Sequence, residues 1–154
     1  RIIGTKRNPK NIPGVHQVFG PESSEVVLKE ADFVLLLLPV TPDTENIINK
    51  SRIKLMKPTA YLLNFGRGKL IVDEDLVEAL NLKWINGAVL DVFRQEPLPK
   101  DHPFWDTEGI QVLPHIGGMH PNRDSIVAEL FVRNLHAFIH NQPMCEIVDP
   151  LKGY

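Results

Sequence analysis

AYLLNFGRGKLIVDEDLVEAL, residues 60–80, joins an apolar run, a turn built on Gly66-Arg67-Gly68 and an amphipathic segment in one continuous stretch. AYLLNF is apolar enough for a buried strand. DEDLVEAL begins a helix: Asp73 is the expected N-cap, Glu74 and Asp75 fall in the first turn where the dipole favours acids, and Leu76, Val77 and Leu80 share a face. The cation between the two glycines admits two readings. It is an exposed loop arginine whose glycines serve only the turn, or it receives a carboxylate from outside. A guanidinium fork matches a carboxylate and stays charged at any working pH, and flanking glycines let the backbone turn sharply and leave room for a ligand.

The same alternation runs along the whole chain. Apolar runs predict strands over 1–5, 16–19, 33–39, 60–65, 85–92 and 110–114. They are apolar nearly throughout, as in a parallel sheet with both faces covered. Helices are predicted over 23–32, 51–56, 73–80 and 122–141, the last with Val127, Leu130, Phe131, Leu135 and Phe138 at helical spacing and a stop at Asn141-Gln142-Pro143. Strands alternating with helices place the chain in the α/β class, with an open, Rossmann-like parallel sheet and flanking helices.

The totals agree with a globular domain. The chain has 154 residues, 43% hydrophobic and 23% charged, with a formal charge of −2. That is ordinary composition, and bulk electrostatics point to neither nucleic acid nor membrane. The longest apolar run, FVLLLLPV, is too short to span a bilayer. One cysteine, Cys145, leaves no internal disulfide and no cysteine-based zinc site, and it suits a cytoplasmic setting. No metal is expected.

In open α/β sheets ligands bind outside the carboxyl ends of the strands. The residues that follow the apolar runs are Lys6 and Arg7, then Pro39 to Thr44, Gly66 to Gly68, Asp91 to Glu96, and His115 to Gly118. Taken singly, each has a bland reading. A Glu-Pro pair is usually surface, and a lone histidine among six is more often structural than catalytic. Together they make chemistry. A carboxylate partner fixes the tautomer of a histidine and favours its protonated form. With an arginine opposite, the site accommodates a 2-oxo acid: Arg67 binds the carboxylate, His115 protonates the carbonyl oxygen and Glu96 holds His115. No side chain supplies hydride, so a nicotinamide cofactor is implied.

On LLLLPVTPDTENIINK, MKPTAYLLNFGRGKLIVDEDLVEAL, GAVLDVFRQEPLPKDHPFWDTEGIQVLPHIGG and VDPLKGY the chain resembles the D-isomer-specific 2-hydroxyacid dehydrogenase family, in the family's own order. The resemblance implies Arg67, Glu96 and His115 as catalytic residues. It also implies Asp91 near the nicotinamide carboxamide, the loop from Pro39 to Thr44 along the adenosine, and Gly117 and Gly118 beside the nicotinamide. HPFWDT resembles the glyoxylate and hydroxypyruvate reductase branch, while phosphoglycerate and other acids stay open. The family's G-x-G-x-x-G loop does not occur in this sequence, and RIIGT matches the fold's second strand. The expectation is a carboxyl-terminal part: 1–116 a partial NAD(P)-binding domain, and 117–154 a return helix and tail for a substrate domain, with little turnover alone and a homodimer in the full-length protein. Lys6 and Arg7 stand where an NAD-preferring fold commonly has an acid, so NADP is favoured over NAD. The competing reading is a catalytically silent dinucleotide-sensing interaction protein.

Overall fold

The computed structural model describes residues 1–150. VDPLKGY therefore lies partly outside the described residues. Strands β1 (Ile3–Thr5) and β2 (Gln17–Phe19) form a parallel pair. Helix α1 (Ser24–Glu30) packs on β1 and leads into β3 (Phe33–Leu36). Then follow α2 (Lys50–Ile53), β4 (Tyr61–Asn64), α3 (Asp73–Asn81), β5 (Gly87–Leu90), β6 (Ile110–Val112) and α4 (Arg123–Ile139). β3, β4, β5 and β6 form a second parallel sheet in that spatial order, with Leu36, Asn64, Leu90 and Val112 in one register across it. All six predicted strands occur, each shorter than its apolar run.

The core lies between one face of this sheet and the helices α2 and α3. Val34, Leu36, Leu62, Ala88 and Leu90 point inward from the strands and meet Ile53, Leu76, Ala79 and Leu80 from the helices. An isolated parallel bridge between Ile48 and Ile71 ties the segment after β3 to the segment after β4.

Coverage of both faces of the sheet is not what the structure shows. Along β3 burial alternates: Val34 and Leu36 are buried, whereas Phe33 is 69% and Leu35 53% exposed. A continuous apolar run therefore behaves here as a one-faced strand, packed on one side and open on the other. α4 is similarly open, with only Ala137 buried, and the apolar positions Val127, Phe131, Leu135 and Phe138 exposed.

Asp73 is also not the N-cap of α3. Val72 holds that position and Asp73 starts the helix, so three acids occupy the first turn without a side-chain cap. The Val72 amide is already used, donating to the Ile48 carbonyl at 2.9 Å. The acids offset the exposed amides through charge rather than through a capping hydrogen bond.

No helix among the described residues is long and apolar enough to cross a membrane. The difference between the two faces of the sheet is testable by urea denaturation followed by circular dichroism. Leu62→Ala, at a position with no exposed surface, is expected to cost about 2–5 kcal/mol. Leu35→Ala, on the open face, is expected to stay within about 1 kcal/mol.

Candidate active site

The sheet is parallel, so β3, β4, β5 and β6 deliver the segments after them to a single rim. Each segment is then shaped by its own local chemistry.

After β4, Asn64 is 1% exposed and closes the turn. Its Oδ1 accepts from the Gly66 amide at 3.1 Å and its Nδ2 donates to the Arg67 carbonyl at 2.9 Å. Arg67 is exposed, in extended conformation (φ −146°, ψ 148°), and its Nη1 donates to the Gly66 carbonyl at 2.7 Å. The glycines are not there for left-handed backbone, since the positive-φ glycines among the described residues are Gly14 and Gly109. Close approach is the reason at Gly68: a Cβ there would fall 1.9 Å from the Phe93 carbonyl carbon and 2.2 Å from its oxygen. The turn after β4 thus packs backbone to backbone on the segment after β5. Asn64 was missed in the sequence. Its signal is a polar residue closing an otherwise apolar strand.

After β5, Asp91 is 1% exposed. Its Oδ1 accepts from the Ile116 amide at 2.7 Å and its Oδ2 from the Gly117 amide at 2.8 Å. Both oxygens therefore reach into the turn after β6. Gly117 seats against Phe65 and Asp91, where a Cβ would come within 2.3 Å of the Phe65 ring. Gly118 has open space around it.

His115 sits in that turn with φ +55°. A left-handed conformation is costly for a residue with a Cβ and persists only where its surroundings hold it. Two amides anchored on Asp91 hold the chain just beyond it. The imidazole is held by Glu96: Nδ1 and Oε2 lie 2.7 Å apart. The other oxygen of Glu96, Oε1, accepts from the Phe93 amide at 2.9 Å.

The Phe93 amide and then the His115 hydrogen bond hold the Glu96 carboxyl below its usual range. Burial opposes the shift, and the charges of His115 and Arg67 add to it. Arg67 is thereby part of the electrostatic surroundings of the pair, although it makes no direct bond to it among the described contacts. The pair borders a cleft of about 550 Å³ lined by Phe93, Leu98, Trp105, Val112 and Pro114. Glu96 and His115 therefore meet, with the Arg67 charge felt at Glu96.

The residues assigned to the cofactor divide in two. Arg7, after β1, reaches across to the loop after β3, with Nη2 3.3 Å from Asp43 Oδ2. Thr44 closes that loop on itself: its Oγ1 donates to the Pro39 carbonyl at 2.7 Å and accepts from the Thr41 amide at 2.8 Å. Lys6 is exposed and makes a backbone bond to Phe19. Lys6, Arg7, Pro39 and Thr44 thus belong to one neighbourhood. Asp91, Gly117 and Gly118 belong to the other, around His115.

The remaining histidines serve local structure. Nδ1 of His16, His102 and His120 accepts from the amides of Ile2, Phe104 and Asn122. His136 in α4 and His140 at its C-cap form an H-x-x-x-H pair that the sequence reading overlooked, with ring centroids 4.1 Å apart. Among the described residues no group of three or more potential ligands is arranged around a metal position.

With this geometry in hand, the comparisons are specific. Residues 1–117 match the D-isomer specific 2-hydroxyacid dehydrogenase, NAD binding domain. The chain belongs to this family. The glyoxylate reductase of Thermococcus onnurineus is 44% identical over 140 residues, which is 90% of this chain and 41% of that protein. That of Pyrococcus furiosus is 46% identical over 114 residues, 74% of this chain and 34% of that protein. A D-isomer specific 2-hydroxyacid dehydrogenase from Xanthobacter autotrophicus Py2, solved with NADPH, superposes with a TM-score of 0.90 at 32% identity, covering 99% of this chain and 62% of that one. The NADPH-dependent glyoxylate/hydroxypyruvate reductase of Sinorhizobium meliloti, solved with NADP and sulfate, gives 0.88 at 31% identity, covering 99% and 49%. The chain spans about half the length of the curated relatives it matches, or less.

The Glu96–His115 contact gives a direct test. A carboxyl whose folded-state pKa is lowered contributes stability above its unfolded pKa and loses it as pH falls through the folded value. The contact should persist through neutral pH and break only in acid. Carbon-13 NMR is expected to find the Glu96 carboxyl titrating below an ordinary glutamate, with the midpoint rising in His115→Ala.

Proposed function

We propose that the protein containing this chain is an NAD(P)-dependent oxidoreductase that interconverts small 2-oxo acids and D-2-hydroxy acids, in the manner of a glyoxylate/hydroxypyruvate reductase. The observation that carries this reading is the 2.7 Å Glu96–His115 pair, with the Arg67 charge in its surroundings, on the strand-end rim of a domain of this family.

The chain's residues divide the work. Arg67, exposed and already oriented by its bond to the Gly66 carbonyl, receives the substrate carboxylate through its guanidinium fork. His115 gives a proton to the carbonyl oxygen from Nε2, since Nδ1 is committed to Glu96. Glu96 fixes the tautomer and stabilises the imidazolium before transfer. Its carboxyl, held low by the Phe93 amide, remains an acceptor at working pH and does not take the proton itself. Asp91 keeps the turn that presents His115. In the reverse direction His115 removes the hydroxyl proton.

The nicotinamide cofactor, when bound, supplies or takes the hydride. The residues present suit its two ends. The open backbone at Gly118 and the rim around His115 suit the nicotinamide. The cations Lys6 and Arg7, beside the Pro39–Thr44 loop, suit the adenosine ribose, and with no acid directly after β1 they favour NADP over NAD. The relatives solved with NADP or NADPH support the same preference. Asp43 is one group Arg7 would have to leave for a 2′-phosphate. Because this pair is exposed, it holds Arg7 only weakly. The reading includes a cytoplasmic enzyme acting as a homodimer.

Oxidation of NADPH with glyoxylate and hydroxypyruvate by the natural full-length protein tests it. His115→Gln is expected to lower kcat by about 10²–10⁴-fold with cofactor binding retained. Arg67→Met is expected to lower kcat/KM by roughly a hundredfold, chiefly through KM. A kcat/KM for NADH above that for NADPH would reverse the cofactor preference. Absence of any 2-oxo acid reduction would overturn the proposal.

A further inference from the structure

Arg94 lies in the segment after β5, two residues before Glu96, and the chemistry above gives it no part. Its side chain points back across the rim. Nε donates to the Ile71 carbonyl at 3.0 Å, and Nη2 donates to the same carbonyl and to Asn46 Oδ1. Nε also lies 3.5 Å from Asp73 Oδ1. Asn46 belongs to the segment after β3, Ile71 and Asp73 to the segment after β4, and Arg94 itself to the segment after β5. One guanidinium therefore joins three of the segments that build the site.

A second contact lies along the same seam. Gly68 rests on the Phe93–Arg94 peptide so closely that any Cβ would overlap it. Phe93 in turn donates its amide to Glu96. A connected path thus runs from Arg67 through Gly68 to the Phe93 peptide and on to Glu96 and His115. Arg94 fastens it from the outer side.

Arg94 is fixed by directional hydrogen bonds that are shorter than its contact with Asp73. Burial pushes the Asp73 carboxyl above its usual range even though Arg94 and His102 both pull it down. The guanidinium fork on the Ile71 carbonyl is directional and leaves the side chain little freedom.

We propose that Arg94, seated over Gly68, is the positioning residue that sets the spacing between Arg67 and the Glu96–His115 pair. The inference rests on the catalytic reading given above for those three residues. It assigns Arg94 no contact with substrate or cofactor. Its effect is to keep the carboxylate-binding and proton-transferring groups at one separation, where a misplacement of about 1 Å costs up to roughly a hundredfold in rate.

The test uses the natural full-length protein with Arg94→Met and Arg94→Lys. The expected result for Arg94→Met is a fall in kcat of about tenfold to a hundredfold, with the dissociation constant for NADPH within about twofold of wild type. Nitrogen-15 spectra of histidine-labelled protein are expected to show His115 leaving its single Nδ1–H tautomer for a mixture, which a loss of stability alone would not produce. Arg94→Lys, which keeps the charge and loses the fork, should fall between. Should Arg94→Met fail to fold, Asn46→Ala removes one arm of the contact and is expected to move kcat and the tautomer in the same direction. Unchanged kcat and an unchanged tautomer in the folded variants would overturn the proposal. If the wild-type protein reduces no 2-oxo acid, the catalytic reading fails, and the tautomer in Arg94→Met still decides whether Arg94 positions the pair.

Discussion

A buried carboxylate at the end of β5 underlies the whole site. Asp91 has almost no exposed surface, and each of its oxygens is taken by one backbone amide of the turn after β6. Charge-assisted bonds of this type are stronger than neutral ones, and a buried ion without them would be costly. They let the next turn adopt a conformation that its own residues disfavour, with His115 at positive φ. Removing the Asp91 carboxylate would leave that turn free to relax to ordinary backbone, and the imidazole would turn away from Glu96.

The sheet supplies the setting for this interaction. Four parallel strands in register bring four loops to one edge, and backbone contacts then fasten those loops laterally. Side chains that share this edge are therefore far apart in the chain. Arg67 and Glu96 lie in adjacent loops sharing the Gly68–Phe93 contact, and Glu96 and His115 lie in the next pair of loops. The arrangement depends on small residues and on polar side chains spent on backbone groups, such as Asn64 under the Arg67 turn.

Much of this was legible in the sequence. The apolar runs located every strand among the described residues, because short, unbroken hydrophobic segments favour strand. The rule that ligands meet the carboxyl ends of strands points to Arg67, Glu96 and His115, of which Glu96 and His115 are in contact. Where the reading failed, the cause was information that a linear pattern lacks. Phe33, Leu35 and Leu37 read as buried, and they are exposed because coverage depends on what lies above the sheet rather than on the strand's own letters. Gly66 and Gly68 read as turn formers, while Gly68 is required by a neighbour more than twenty positions away. Asn64 and Arg94 drew no attention, since a polar residue acting on distant backbone carbonyls and amides looks like any other surface residue. Asp73 reads as a cap from local propensity, whereas Val72 holds that position and its amide donates to the Ile48 carbonyl.

The cleft beside the Glu96–His115 pair is bordered by Trp105, whose indole nitrogen donates to the Pro99 carbonyl at 2.7 Å. The second indole, Trp84, lies elsewhere, with the ammonium groups of Lys50 and Lys54 at 5.5 and 4.3 Å from its ring. Two such different environments separate the emission of the molecule into a component at the cleft and a component remote from it. A guest entering the cleft next to His115 would change the surroundings of the first and leave the second as an internal standard, so this chain carries a native fluorophore for occupancy of that cleft.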